Sequence, residues 1–107
     1  MYLYTNDFIR LDIPDTLKAC FEELDKILNK KLKNKIKSDI NIDLHYTLGL
    51  WIRNNWIYPG HNRIKKILDK VYHADSMSSL IIRGYHYYLN GKNKDVEELV
   101  SEEHHFT

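Results

Sequence analysis

The segment 44–60, LHYTLGLWIRNNWIYPG, constrains the fold most, because both tryptophans, an arginine and an asparagine pair lie within six of its residues. Four of its apolar residues follow a helical period: Leu44, Leu48, Trp51 and Ile52. Trp51 and Trp56 are five positions apart, which places their rings about 140° apart on an α-helix. One flat face cannot hold both rings. We therefore expect a central helix that other elements enclose on more than one side, with Trp51 in the core.

Local signals mark both ends of this helix. Asp43 can cap its first turn through its carboxylate. Tyr58-Pro59-Gly60 ends it, because proline followed by glycine does not continue a helix. Arg53, Asn54 and Asn55 are then expected near its C-terminal end.

Apolar residues at helical spacing also occur on both sides of this segment. They form four groups: Leu17, Phe21, Leu24, Ile27 and Leu28; Leu32 and Ile36; Ile64, Ile67, Leu68 and Val71; and Met77, Leu80, Ile81, Tyr85, Tyr88 and Leu89. Asp15 or Thr16 can cap the first of these helices, and Asn29 separates it from the second. Each group predicts one amphipathic helix.

The C-terminal part of the chain has clear boundary signals. Residues 73–76 are expected to form a linker whose last polar residues cap the next helix. Asn90-Gly91 is expected to end that helix with a left-handed glycine. Asp95 and Glu98 have the spacing of a capping box, which predicts a short last helix from Val96 to about Glu103.

These helices, joined by short connections in a chain of 107 residues, predict a single all-α domain. We expect a compact bundle of five or six helices. An extended N-terminal arm is expected over residues 1–13, and the helical core over residues 14–103.

Charge is nearly balanced, with 16 basic and 15 acidic residues and a net charge of +1, which argues against a general polyanion binder. The segment Lys30–Lys37 nevertheless holds five lysines in eight residues. Such a run can bind nucleic acid, but it contains no arginine and no aromatic residue, so a solvated helix face is the favoured interpretation. The single cysteine, Cys20, is expected in the core.

The N-terminal sequence lacks the features of a signal peptide, and no apolar segment approaches the roughly 20 residues that span a bilayer. We therefore expect a soluble, cytoplasmic protein. The six histidines show neither an HExxH motif nor zinc-ligand spacing with cysteine. No nucleophile–base pair, glycine-rich phosphate loop or pair of catalytic carboxylates is evident either. We predict no enzymatic activity, no cofactor and no metal.

Arg53, Asn54 and Asn55 have two interpretations. A guanidinium beside two amides can bind a small anion or a phosphate. Alternatively, Arg53 pairs with an acidic residue such as Asp75 and the group locks two helices together. We favour the lock, and expect Arg53 to be at least partly buried.

Tyr85-His86-Tyr87-Tyr88 also has two interpretations, because four consecutive residues point to all sides of a helix. Tyrosine is common in protein interfaces, since it combines apolar area with a hydroxyl group. A tyrosine-rich core is an equally good interpretation.

Three segments, taken together, resemble a family of small uncharacterised bacterial helical proteins. They are WIRNNW at 51–56, DSMSSLII at 75–82 and YHYYLNGK at 85–92, where the family has W-I-R-N-N-W, D-D-M-S and Y-H-R-Y-L-N-G-K. The likeness covers roughly residues 13–100. Ser76 replaces an aspartate of the family pattern, and Tyr87 replaces an arginine. The resemblance implies a helical fold and no settled activity. Proteins of this kind are similar in size and style to the immunity proteins encoded beside bacterial polymorphic toxins.

The function expected from these observations is protein binding without catalysis, most concretely by an immunity protein that masks the active site of a toxin domain. The partner-binding residues are expected on an acidic surface with one tyrosine: Asp95, Glu97, Glu98, Glu102, Glu103 and Tyr87. The alternatives are nucleic-acid binding through Lys30–Lys37, which the charge balance disfavours, and small-anion binding through Arg53. The residues of the structural or anion-binding motif are Trp51, Arg53, Asn54, Asn55, Trp56, Asp75, Tyr85 and His86.

Overall fold

The computed structural model describes residues 13–59, 66–68, 71 and 73–106, with side chains through Glu102. Within these residues the chain forms five helices and no strand, which confirms the all-α prediction. The helices are α1 (Leu17–Ile27), α2 (Lys30–Ser38), a composite helix over His45–Ile57, α4 (Ala74–Leu89) and α5 (Val96–Phe106). The predicted arm over residues 1–13 lies outside the described residues except at Ile13, as does most of the helix predicted around Ile64.

The composite helix, which we call the tryptophan helix, has three consecutive parts. They are a π-helical segment His45–Gly49, a short α-helix α3 (Leu50–Ile52) and a second π-helical segment Arg53–Ile57. Tyr58 and Pro59 form the turn that follows, as the sequence predicts.

Side-chain caps determine where α1 and α2 begin. Thr16 Oγ1 accepts a hydrogen bond from the Ala19 amide at 3.0 Å. Asn29 Oδ1 accepts one from the Leu32 amide at 2.9 Å. Each cap satisfies an amide that has no partner inside its helix. The predicted break at Asn29 is therefore confirmed, and its cause is a cap.

Capping also defines α4 and α5. Asp95 and Glu98 form the predicted capping box, in which each side chain accepts a hydrogen bond from the other residue's amide, at 2.9 and 3.2 Å. Gly91 ends α4 with a φ of 78°, also as predicted. The predicted linker over residues 73–76 is wrong, because α4 already begins at Ala74 and the Met77 amide donates to the His73 carbonyl at 2.9 Å.

The helix that organises the packing is α4. It contacts α1, α2, α5 and both π-helical segments of the tryptophan helix. The tryptophan helix was expected to be enclosed on more than one side. Among the described residues its main packing partner is α4, and it keeps a solvent-exposed side.

One hydrophobic core connects all the helices. Its buried apolar residues are Cys20, Phe21, Leu24, Leu28, Leu32, Ile36, Leu44, Leu48, Ile52, Trp56, Ile57, Leu68, Val71, Met77, Leu80, Ile81, Tyr85 and Leu99. Cys20 is a core residue, as predicted, and burial raises the pKa of its thiol to about 12. The radius of gyration of 13.0 Å is that of a compact domain of this length. No helix in the described part of the chain combines the length and the apolar character needed to cross a membrane.

Candidate functional site

The tryptophan helix is wider than an α-helix at both ends. The Gly49 amide donates to the Leu44 carbonyl at 2.7 Å, and the Tyr58 amide donates to the Arg53 carbonyl at 2.9 Å. Both bonds join residues five positions apart, which is the π-helical pattern. Short π-helical segments are rare and occur often at functional sites. The tryptophan helix is therefore a candidate location for a functional site.

The π geometry changes the relation between the two tryptophans. A π-helical turn brings residues five positions apart close together, and the Arg53–Ile57 segment begins two residues after Trp51. The rings of Trp51 and Trp56 accordingly meet edge to face, with centroids 5.3 Å apart and planes at 77°. The prediction of rings about 140° apart is wrong, because it assumed the α-helical period.

The two tryptophans also differ in burial from what was predicted. Trp56 is fully buried, with 0% exposure, whereas Trp51 is half-buried and packs against the edge of the core. The prediction of Trp51 in the core is therefore only partly right, and Trp56 is the indole that fills the interior.

Arg53 is buried, with 4% exposure, and its guanidinium is surrounded by protein acceptors. Nη1 donates to Ser78 Oγ at 3.0 Å, and Nη2 donates to the His45 carbonyl at 3.0 Å. Nε lies 3.4 Å from Asp75 Oδ1, which confirms the predicted ion pair. All three nitrogens thus have partners within the protein, which favours a lock between helices over an anion-binding site.

The ion pair and the hydrogen bonds of Arg53 are not of equal strength. The Asp75 side chain is 68% exposed, so water screens its attraction to Arg53. The bonds to Ser78 and His45 lie deeper and cost more to break, because a buried polar group that loses its partner is not resolvated. The hydrogen bonds therefore hold the lock more than the ion pair does.

Two residues that sequence reasoning missed make this lock possible. A Cβ atom on Gly49 would lie 3.1 Å from the Leu44 carbonyl oxygen and 3.2 Å from Arg53 Nη1, so glycine provides the space for the guanidinium. Ser78 is 1% exposed, and its hydroxyl accepts from Arg53 and donates to the Asp75 carbonyl at 3.0 Å. The only available signals were a glycine inside a helical pattern and a serine inside DSMSS.

The two asparagines behave differently from each other. Asn55 Nδ2 donates to the Trp51 carbonyl at 2.9 Å, four positions back. Asn54 is exposed.

The four residues Tyr85 to Tyr88 each reach another part of the molecule. Tyr85 OH donates to Asp25 Oδ1 at 2.6 Å, and His86 Nδ1 donates to the Ile36 carbonyl at 2.7 Å. Tyr87 OH donates to Glu102. Tyr88 packs against Phe21 with centroids 5.3 Å apart. Burial, followed by the hydrogen bond to Asp25, raises the pKa of Tyr85. The segment thus fastens α1, α2 and α5 to α4, which favours a tyrosine-rich core over an interface.

The predicted acidic surface is largely occupied by contacts within the protein. Asp95 and Glu98 form the capping box. Glu102 accepts from Lys94 Nζ at 2.7 Å and from Tyr87. Burial raises the pKa of Glu102 while these two hydrogen bonds lower it, and the net result is a pKa below its usual value. Glu97 is exposed, and the side chain of Glu103 lies outside the described residues.

A different surface stands out on the tryptophan helix. Its exposed large apolar residues, which we call the exposed row, are Tyr46, Leu50 and Tyr58, with exposures of 79%, 42% and 60%. Tyr46 and Leu50 lie within this helix, and Tyr58 lies in the turn that directly follows it. The His45 ring stands edge-on to Tyr46 at 4.6 Å. The sequence analysis did not identify this row, because it followed the buried stripe.

Two cavities are also present. One of about 590 Å³ lies between the N-terminal ends of α1 and α5 and is lined by Leu17, Phe21, Tyr88 and Val96 among others. The other, of about 330 Å³, lies between residues 40–45 and α4. In the part of the chain that the structure describes, no group of three histidine, cysteine, aspartate or glutamate side chains is arranged to hold a metal ion.

Comparison with known proteins places the chain in a family. No curated protein and no solved structure matches it. A family model described as a domain of unknown function, DUF6794, matches residues 13–89. This range extends from the residues before α1 to the end of α4, and it includes the tryptophan helix and the residues that hold Arg53. Because the match covers most of the chain, the protein belongs to the DUF6794 family.

Proposed function

We propose that this chain is a protein-binding module without catalytic activity, and that it acts as an immunity protein that masks the active site of a bacterial toxin domain. The observation that carries the proposal is the exposed row, Tyr46, Leu50 and Tyr58. Large apolar side chains that remain exposed to solvent can mark an interaction site. Tyrosine in particular is enriched in interfaces.

The way the exposed row is held supports the same function. Buried Leu48, Ile52 and Trp56 anchor the tryptophan helix in the core. Tyr46 lies near the start of this helix, and Tyr58 follows its end. Aromatic side chains on a rigid helix lose little conformational freedom when a partner binds. The row therefore offers a preorganised contact surface.

Arg53 supports the proposal indirectly. Its bonds to Ser78 and His45 connect the tryptophan helix to α4 and to its own first turn. This network keeps the helix, and with it the exposed row, in one position. In this proposal the buried residues of the WIRNNW segment fix the position of the helix, and the exposed row contacts the partner protein.

The acidic residues of α5 have a secondary role in the proposal. Glu97 and Glu98 are exposed at the start of α5, while Glu102 is held by Lys94 and Tyr87. Exposed charges mainly accelerate encounter with a partner of opposite charge and contribute less to the affinity. We therefore assign the binding energy to the exposed row and a steering role to these glutamates.

The test uses the reading frame directly upstream of the gene. Its product is expressed in a bacterial host alone, with the wild-type chain, or with the double variant Tyr46→Ala/Tyr58→Ala. We expect growth arrest by the upstream product, rescue by the wild type and loss of rescue by the variant. The matched control is Lys18→Ala/Lys26→Ala, which changes two exposed side chains of α1 and should rescue fully.

Two results would contradict the proposal at different levels. A harmless upstream product, or arrest that the wild-type chain does not relieve, overturns the immunity role. Full rescue by Tyr46→Ala/Tyr58→Ala overturns the assignment of the exposed row. Co-purification of the two proteins, measured for each variant, separates lost binding from poor expression.

A further inference from the structure

The exposed side of α2 carries a concentrated positive charge. Four exposed lysines form what we call the lysine face: Lys30, Lys31, Lys35 and Lys37. On a helix they cover an arc of about 160°, nearly opposite the buried residues Leu32 and Ile36. The solvent side of α2 thus carries four lysines and no acidic residue, with Asn34 and Ser38 as its other exposed residues.

The position of these lysines does not favour the helix itself. Lys30 and Lys31 occupy the first turn of α2, which contains no acidic residue. The N-terminal end of a helix carries a partial positive charge, so lysine there is unfavourable. By contrast, the first turns of α4 and α5 contain Asp75, Glu97 and Glu98. The partial charge of the helix end and the charges of the two lysines therefore both contribute to a positive potential at this end of α2.

The lysine face is also without carboxylate partners among the described residues. The lysines that form ion pairs there are Lys26, with Glu23 at 3.8 Å, and Lys94, with Glu102 at 2.7 Å. Both lie outside α2. Among the described residues, no ion pair therefore competes with an external anion for the lysine face.

Tertiary contacts fix α2 in place. The His86 ring donates to the Ile36 carbonyl at 2.7 Å, and Asn90 Nδ2 donates to the Lys37 carbonyl at 2.9 Å. Both side chains come from the C-terminal part of α4 or the residue that follows it. These bonds hold the backbone of α2 against α4, and the lysine face with it.

We propose that the lysine face binds the phosphate backbone of nucleic acid, independently of base sequence. A protein partner would gain little apolar area here, because the apolar residues of α2, Leu32 and Ile36, are buried, and lysine is depleted from the centres of protein interfaces. A membrane-bound helix would likewise need exposed apolar residues to insert. Phosphate contacts need only positive charge, and duplexes carry about one negative charge per 1.7 Å of axis.

The chemistry of the lysine face also predicts how it binds. It contains no arginine to read guanine and no aromatic ring on which a base could stack. Binding should therefore depend on the charge and length of the polymer. With about four phosphate contacts, affinity for duplex DNA should fall roughly 100-fold between 50 and 200 mM salt.

The experiment measures fluorescence anisotropy of a labelled 20-base-pair DNA duplex of random sequence and of the corresponding RNA duplex. The test variant is Lys30→Gln/Lys31→Gln/Lys35→Gln, and the matched control is Lys18→Gln/Lys26→Gln/Lys66→Gln, three exposed lysines elsewhere. We expect the test variant to bind at least 10-fold more weakly than the control at 50 mM salt. It should also lose most of the salt dependence. Circular dichroism verifies that both variants are folded.

Several results would overturn the inference. The first is no binding by the wild type at 50 mM salt, and the second is an equal loss in both variants. Binding to phosphatidylserine vesicles or to polyglutamate with affinity equal to that for the duplexes would show a surface that is not selective for nucleic acid. The site is separate from the exposed row, so Tyr46→Ala/Tyr58→Ala should leave duplex binding unchanged. Nucleic-acid binding by the lysine face is therefore tested independently of the proposed immunity role.

Discussion

Arg53 and Ser78 meet inside the fold although 25 positions separate them, and Nη1 of the arginine donates to the serine hydroxyl at 3.0 Å. Gly49 leaves the space for this contact, and the Ser78 hydroxyl in turn donates a hydrogen bond to the Asp75 carbonyl. The WIRNNW and DSMSS segments are therefore two halves of one polar junction between the tryptophan helix and α4. Arg53, Gly49 and Ser78 each have a packing role in this junction.

The two tryptophans should contribute unequally to stability. Trp56 is fully buried and Trp51 only half-buried, so Trp56→Ala leaves the larger cavity. We expect Trp56→Ala to cost about 3–5 kcal/mol and Trp51→Ala clearly less, on the order of 2 kcal/mol. Urea denaturation of the two variants measures the difference. An equal or greater loss of stability for Trp51→Ala would contradict the deeper burial of Trp56.

Gly84 should not tolerate alanine. A Cβ atom there would lie 2.8 Å from Phe21 Cζ and 3.1 Å from Leu99 Cδ1, where α1 and α5 meet α4. In an exposed helix the same substitution stabilises by about 1 kcal/mol. Here we expect a loss of about 1–3 kcal/mol from overpacking.

A double-mutant cycle checks the cause of this loss. Phe21→Leu removes the aromatic atoms that the new methyl group would contact. Gly84→Ala should therefore cost less in the Phe21→Leu background than in the wild type. If the two losses simply add, the contact with Phe21 is not the reason.

The stabilising effect of Glu102 should disappear at low pH. The pKa of its carboxyl group is lower in the folded protein than its ordinary value of 4.5. A lowered folded pKa means that the contribution to the unfolding free energy is present above about pH 4.5 and is lost as the pH falls through the lower folded value. Glu102→Gln should therefore be less stable than the wild type at pH 7.

The corresponding measurement is the unfolding free energy of both proteins between pH 7 and pH 3. The difference between wild type and Glu102→Gln should shrink as the pH falls below about 4.5. Asn34→Ala, a change at an exposed position of α2 that carries no titratable group, serves as the control and should show no such trend. A constant difference for Glu102→Gln would mean that its ionised form is not what stabilises the fold.

The exposed row should be dispensable for folding. Tyr46 and Tyr58 are mostly solvent-exposed, so Tyr46→Ala/Tyr58→Ala should change the unfolding free energy by less than about 0.5 kcal/mol for each residue. Thermal melts compare the double variant with the wild type. A large loss of stability would show that these rings pack against the fold and are not held ready for a partner.

Features set by neighbouring residues could be predicted from the sequence. The cap at Thr16, the break at Asn29, the capping box of Asp95 and Glu98, and the left-handed Gly91 all depend on contacts within a few positions. Local hydrogen bonding determines them, so the residue pattern contains the necessary information.

The candidate site could be predicted only in part. The pairing of Arg53 with Asp75 followed from the need of a buried charge for a partner. The π-helical segments could not be predicted in this way, because no local sequence signature marks them and side-chain bonds such as that from Arg53 to the His45 carbonyl accompany them. The exposed row was missed for a similar reason, since the solvent exposure of Tyr46 depends on which helices pack nearby.

The stability of Arg53→Ala tests the lock most directly. The substitution removes the hydrogen bonds to Ser78 and the His45 carbonyl together with the ion pair to Asp75, and it leaves a cavity in the core. We predict a loss of about 2–4 kcal/mol, which lowers the melting temperature by on the order of 10 °C or more. Asp75→Asn, which affects only the exposed partner, should cost less than about 1 kcal/mol. An unchanged or raised melting temperature for Arg53→Ala would contradict the lock and indicate that this arginine is kept for a ligand.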